Sequence, residues 1–133
     1  MDVSIINESV EHLFLGSNLL ETVRIDGAPN LRSVMLTSNR LAEVDLSSNT
    51  LLETALLSNN QIAGLDLSQN SELAYLYISS NALQKLDVSG NQKLVDLRPN
   101  RNPALTCIKI ASGQEIPVTR LDDYQGFSSD CEL

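Results

Sequence analysis

The chain has 133 residues, of which 42% are hydrophobic and only 4% aromatic, as expected for a globular domain with an aliphatic core. Its net charge of -8 argues against a nucleic-acid partner, because phosphate binding needs a positively charged surface. No apolar run is long enough to cross a bilayer. One His, two Cys and the lack of nucleotide-, zinc- and calcium-binding motifs sharply limit the enzymes that this chain could form, and we expect no cofactor. Paired carboxylates occur as in any acidic protein, but nothing in the sequence supports glycosidase-type chemistry.

Residues 1–9 form a degraded copy of the repeat that follows them. Val3 and Ile5 alternate with polar residues, which predicts a short irregular strand, and Asn7 lies near the register of the later asparagines. Stacked repeats need a covered end, and this segment is short for a cap. Either nine residues suffice, or this end belongs to a longer array or meets another chain, which includes self-association.

Residues 10–113 repeat the pattern Leu-x-x-Leu-x-Leu-x-x-Asn in two interleaved series, each with a period of 21. The alternating Leu-x-Leu residues predict a short extended segment whose leucines face a common core. An Asn amide at each following turn can bond the backbone of its own turn and of the next coil. We therefore expect about five coils of parallel strands, ~4.8 Å apart, with little or no helix. The predicted asparagine ladders are Asn18, Asn39, Asn60, Asn81 and Asn102 in the first series and Asn49, Asn70 and Asn91 in the second.

This pattern resembles leucine-rich repeats, and within them the nested bacterial subtype that alternates LxxLxLxxN with LxxLDLSxN. The segments that carry the resemblance most closely are VDLSSN (Val44 to Asn49), LDLSQN (Leu65 to Asn70) and LDVSGN (Leu86 to Asn91). The resemblance implies a right-handed solenoid and a non-enzymatic recognition role, usually in secreted or surface-attached bacterial proteins. Because both half-units are extended and nearly equal in length, we expect weak curvature.

Residues 114–133 break the period and are expected to form a C-terminal cap over the last coil. Cys107 and Cys131 are 24 residues apart, a spacing that allows a disulfide worth ~3 kcal/mol. Tails of this kind in the resembling proteins carry such a pair, which favours a disulfide and an oxidising compartment over free thiols or a metal site. The predicted covering residues are Ile116, Val118, Leu121, Tyr124 and Phe127.

The residues between the inward leucines of the first series face solvent and form an apolar and aromatic stripe. Such a stripe resembles an interface core with aromatic anchors. The alternative is that neighbouring apolar side chains only stabilise the sheet or are covered by another segment. The candidate partner-binding residues are Phe14, Met35, Leu56, Tyr75, Tyr77 and Arg98.

The second series instead presents Asp45, Asp66 and Asp87 in one column. Calcium between these carboxylates would relieve their repulsion, but solvation, with Arg24 and Lys109 nearby, is the preferred interpretation. The serines two positions later, Ser47, Ser68 and Ser89, are expected to complete turn hydrogen bonds. We interpret His12 as a surface residue.

Two functions remain. In the first, the chain is a recognition module of a secreted or surface bacterial protein, and its first-series face binds a protein or a cell-surface glycan. In the second, it is a structural spacer or adhesin segment of a larger surface protein. An ice-binding solenoid fits less well, because only Thr37 and Thr54 appear in the outer columns of that face.

Overall fold

The computed structural model describes residues 1–132, which form a solenoid of parallel strands with no helix. The predicted fold class is confirmed, although the spiral makes about six turns where five were expected. The strands in chain order are β1 (Asp2–Ile6), β2 (His12–Phe14), β3 (Thr22–Gly27), β4 (Ser33–Met35), β5 (Thr54–Leu56), β6 (Tyr75–Tyr77), β7 (Leu86–Asp87), β8 (Asp96–Arg98), β9 (Cys107–Lys109), β10 (Val118–Thr119) and β11 (Gly126–Ser128).

The first-series segments form one continuous parallel sheet in the order β2-β4-β5-β6-β8-β10. Each pairing within the repeats advances by 21 residues, as in His12 with Ser33 and Thr54 with Tyr75. This register stacks equivalent residues of successive coils in straight columns across the sheet.

The second side is paired less completely than the sequence suggested. Its segments form only a two-stranded sheet, β1-β3, and a three-stranded sheet, β7-β9-β11, and residues 44–46 and 65–67 have no strand partner. On this side Asp45, Asp66 and Asp87 each accept the backbone N–H of the serine two residues later, and of the three only Asp87 lies in a paired strand. This turn alone therefore does not decide whether a segment pairs with its neighbour. Weak curvature stays a prediction.

The core is a single aliphatic column that runs along the solenoid axis. Its 25 buried hydrophobic residues are all Leu, Ile, Val or Ala. Leu46, Leu67 and Val88, which the repeat predicts to be inward, are at most 2% exposed. In the first coil the inward residues Val3 and Ile5 are only partly buried, so the core thins toward this end. Self-association through it stays a prediction.

The first-series asparagines connect successive coils. Asn81 donates from Nδ2 to the carbonyls of Ile78 in its own turn and Leu57 in the preceding coil, and its Oδ1 accepts the N–H of Ile62. The coil reached is therefore the preceding one and not the following one expected from the sequence. Asn18 bonds only its own turn and is exposed. The same cross-coil arrangement recurs at Asn39, Asn60 and Asn102.

The second-series asparagines make fewer bonds. Asn70 donates from Nδ2 to the carbonyls of Leu46 and Asn49, both in the preceding coil. Its Oδ1 is buried without a partner, as is that of Asn49. Asn91 follows the same donor pattern, toward Leu67 and Asn70. This ladder therefore connects coils through its donors.

The C-terminal segment adds a further coil instead of lying across the last one as a lid. Its strand β10 pairs with β8, and β11 pairs with β9. Ile116, Leu121 and Phe127 pack against the core as predicted. The prediction is wrong for Val118 and Tyr124, which are 47% and 45% exposed. Both lie where the added coil turns its side chains outward.

Two glutamines continue the ladders into this added coil. Gln114 donates from Nε2 to the carbonyls of Val88 and Asn91, as the second-series asparagines do toward their preceding coils. Gln125 donates to the carbonyl of Pro99 on the opposite side. Each also accepts, at Oε1, a backbone N–H three residues earlier in its own turn. Gln is one methylene longer than Asn, and it makes these bonds where the C-terminal segment no longer keeps the 21-residue period.

One residue per coil adopts a left-handed backbone conformation immediately before the first-series asparagine. None of them is glycine, although a side chain in this conformation costs about 1 kcal/mol. This column was not predicted. Its members are Ser17, Ser38, Asn59, Ser80 and Arg101, with φ between 54° and 61°.

Replacing Ser38 with Gly should raise the free energy of unfolding by about 0.5–1 kcal/mol, because Gly enters the left-handed region without the Cβ penalty. The entropy that Gly adds to the unfolded chain offsets part of this gain. The control is Ser33→Gly in β4, where φ is not positive and Gly should destabilise. Urea unfolding of both variants checks the expectation, and equal losses at the two positions would contradict it.

Candidate partner-binding face

The outward side chains of the six-stranded sheet form two columns whose register the strand pairing sets. One column contains Phe14, Met35, Leu56, Tyr77 and Arg98. The other contains His12, Ser33, Thr54, Tyr75 and Asp96, and β10 adds Val118. The structure thus brings all six candidate residues onto one face.

The two most accessible residues of the candidate set are aromatic and lie three strands apart, in β2 and β6. Phe14 is 64% exposed and Tyr75 is 42% exposed. Met35, Leu56 and Tyr77 are partly buried by their neighbours in the columns. The His12 ring stacks beside Phe14, with 6.4 Å between ring centroids. His12 itself is exposed, as predicted.

Tyr77 in coil four and Asp96 and Arg98 in coil five form a connected polar group. The Tyr77 hydroxyl donates to Asp96 Oδ2 at 3.0 Å, and the Arg98 guanidinium donates to both carboxylate oxygens at 3.2 Å. Arg98 also lies over the Tyr77 ring, 4.2 Å from its centroid. Burial raises the pKa of Tyr77, and the bond to Asp96 adds to that increase. These contacts hold both Tyr77 and Arg98 in place, and sequence reasoning did not identify Asp96 as their partner.

One edge of the face carries charges at its first three coils. Arg32 lies between Glu11 and Glu53 and contacts them at 3.1 and 3.5 Å. Two carboxylates thus share one guanidinium, which leaves an excess negative charge. In coils four and five the same column contains Ala74 and Val95 and is uncharged.

The opposite edge is neutral and rich in hydroxyl groups. Ser79 donates from Oγ to the Oγ of Ser58 at 2.9 Å, and Thr37 donates to the carbonyl of Leu56. Gly16 occupies the same column in the first coil, where a Cβ would lie 3.3 Å from the Thr37 carbonyl oxygen. The apolar stripe therefore has one charged edge and one uncharged polar edge.

The aspartate column of the second side uses its carboxylates in local turns. Asp45 accepts both the N–H and the hydroxyl of Ser47, and Asp87 does the same with Ser89. These bonds lower the pKa of Asp45, and the equivalent bonds from Ser68 lower that of Asp66. Across residues 1–132, no group of three or more His, Cys, Asp or Glu side chains is arranged to hold a metal ion.

Removing the Ser47 hydroxyl with Ser47→Ala should raise the pKa of Asp45 toward its ordinary value, because the largest contribution to the lowering is lost. A carboxyl whose pKa is lowered by folding stabilises the fold above its unfolded-state pKa, and that contribution disappears as the pH falls through the folded-state value. NMR titration of the Asp45 carboxyl carbon measures the change. Ser48→Ala is the control, and an unchanged Asp45 titration in Ser47→Ala would contradict the assignment.

The predicted disulfide is present between Cys107 in β9 and Cys131, with 5.9 Å between their Cα atoms. It fastens the added coil at the point where β11 pairs with β9. None of the described residues forms a helix of the length and hydrophobicity needed to traverse a bilayer.

Comparison with known proteins identifies a structural relative. The chain is similar to the functional domain of InlJ from Listeria monocytogenes, a leucine-rich-repeat internalin whose structure is described as including a cysteine ladder. The TM-score is 0.69 at 27% identity, and the match covers 77% of this chain but only 25% of that one. Searches of protein-family models and of curated proteins found no match. Together with the 21-residue coils, this likeness confirms the predicted leucine-rich-repeat architecture.

Proposed function

We propose that the chain is a non-enzymatic recognition module of a secreted or surface bacterial protein, and that it binds a protein through the first-series face. The observation that carries this proposal is the exposure of Phe14 and Tyr75 on a continuous sheet whose other side already buries the core. Exposed apolar residues in such a patch are typical of interaction sites. Aromatic residues, Met and Arg are the types enriched at protein interfaces.

The fold does not need these side chains to be apolar. The solenoid is held by its aliphatic core and asparagine ladders, none of which includes a residue of this face. Polar residues already occupy the adjacent positions Ser33 and Thr54 on the same strands. A sheet that tolerates serine and threonine there would also tolerate them in the neighbouring column.

The comparison and the disulfide support the proposed setting. The chain spans a quarter of the InlJ domain that it resembles, so the partners of that whole protein do not transfer. A disulfide persists in oxidising environments, which favours an extracellular or cell-surface location.

The test compares binding by the wild-type chain with that of a double variant, Phe14→Ser and Tyr75→Ser. Each is applied to an array of extracellular protein domains and to a glycan array. We expect the wild-type chain to bind a protein and the double variant to bind it with at least tenfold lower affinity. The melting temperature should not change, because both residues are exposed. The control is the pair Arg24→Ser and Glu43→Ser on the second side, which preserves net charge.

The other outcomes separate the remaining functions. Binding to glycans alone, lost in the same variant, would replace the protein partner with a sugar. If the double variant lowers the melting temperature and no array shows face-dependent binding, the spacer function is supported and recognition is not.

A further inference from the structure

The exposed stripe runs across the strands and therefore along the solenoid axis. Adjacent strands of a sheet are ~4.8 Å apart, so the five coils from Phe14 to Arg98 extend over about 19 Å. Phe14 lies in β2 and Tyr75 in β6, so a partner that contacts both exposed aromatic residues must follow this axis across four coils.

The spacing of the coils favours one type of partner backbone. An α-helix lying along the axis rises 5.4 Å per turn, close to one turn per coil, and about 13 residues would cover the stripe. An extended strand in the same direction places side chains on one face every ~6.8 Å, whereas the coils are ~4.8 Å apart. Its side chains would therefore fall between coils by the second coil. Only the helix presents side chains at nearly every coil.

The charge distribution sets the polarity of that partner. Excess negative charge from Glu11 and Glu53 lies beside coils one to three, whereas Arg98 at coil five is neutralised by Asp96. A helix N-terminus carries a partial positive charge and is stabilised near anions. Basic residues in the first turns of the helix would add to this attraction. A second copy of this chain is a poor occupant, because its net charge of -8 and its own acidic edge would repel.

We infer that the partner element bound by this face is an amphipathic helix of about 13 residues. The helix lies along the solenoid axis with its basic N-terminal turns over coils one to three and its apolar side on the Phe14–Tyr75 stripe. This inference rests on the proposed recognition function and specifies the partner class for the same face.

Selection from two displayed libraries tests this inference. One library presents 14-residue helices in a helical-hairpin scaffold, and the other presents disulfide-closed loops of equal length. Both are selected on the immobilised wild-type chain. We expect the helical library to yield binders with Lys or Arg in the first two turns. Their affinity should fall at least tenfold for Phe14→Ser with Tyr75→Ser and remain unchanged for Arg24→Ser with Glu43→Ser.

A second variant tests the polarity separately. In Glu11→Gln with Glu53→Gln, the selected helices should bind several-fold more weakly and with less dependence on salt. If only the loop library yields binders that depend on Phe14 and Tyr75, the inference of a helical partner is overturned and the recognition function stands. Binders that ignore the face, or none from either library, would overturn both. Helices with basic residues only at the C-terminal end would overturn the orientation.

Discussion

Replacing Asn81 with Ala is expected to lower the free energy of unfolding by about 3–5 kcal/mol, the largest effect of any single polar substitution proposed for this chain. The side chain is 9% exposed and bonds the carbonyls of Ile78 and Leu57 and the N–H of Ile62. Alanine would leave the buried N–H of Ile62 without a partner, which costs about 1–3 kcal/mol. It would also remove one of the two bonds at each carbonyl, which Asn102 and Asn60 still reach, at about 0.5–1.5 kcal/mol each.

Two further asparagines make this prediction specific. Asn70→Ala should cost less than Asn81→Ala, because Asn70 Oδ1 has no partner to lose. Asn18→Ala should cost under about 1 kcal/mol, since that side chain is exposed and bonds only its own turn. Urea unfolding followed by circular dichroism measures all three. Equal effects would mean that the cross-coil bonds do not connect the solenoid.

The regular part of this structure was predictable because one physical constraint recurs in every coil. A period of 21 with inward Leu-x-Leu leaves a single register, and so it determines which residues share a column before any coordinates are known. The placement of Phe14, Met35, Leu56 and Tyr77 in one column follows directly from that register.

The irregular part was not predictable from the period. Gln114 reaches back 26 residues to Val88 where the second-series asparagines reach back 24, so the ladder continues out of step with the sequence repeat. A signal existed, since Gln114 and Gln125 are the amide residues nearest to the positions where the two ladders lack an asparagine. The wrong prediction for Val118 has the same origin, because the C-terminal segment was expected to be a lid. A lid turns its apolar residues toward the core, whereas an added strand such as β10 places alternate residues in solvent.

The polar group of Tyr77, Asp96 and Arg98 shows a different limit to prediction. The columns predicted that Tyr77 and Arg98 are neighbours, but not that Asp96 and Arg98, two residues apart on one strand, bond each other. Side-chain rotamers decide this contact, and the repeat pattern carries no information about them. The consequence for function is that Tyr75, and not Tyr77, is the tyrosine whose hydroxyl and ring are accessible to a partner.

Removing the disulfide by Cys107→Ser with Cys131→Ser should lower stability by about 3 kcal/mol in the loop-entropy model, because 24 residues separate the two cysteines. In a solenoid the loss should be local, since each coil contacts only its neighbours. Hydrogen exchange should therefore accelerate first at the amides of Gly126 and Ile110, which bond between β9 and β11. The amide of Leu57, which bonds Tyr77 in the middle of the array, should change little.

Reduction of the wild-type chain supplies the matched experiment. Under a strong reductant the wild type and the double serine variant should unfold at nearly the same urea concentration, and only in oxidising buffer should they differ. A uniform acceleration of exchange from Gly126 to Leu57 would contradict local fastening, because it would mean that the added coil and the central array unfold as one cooperative unit. Accelerated exchange confined to the last coil would instead assign the disulfide to holding that coil, through β11 and Gln125, against the end of the core.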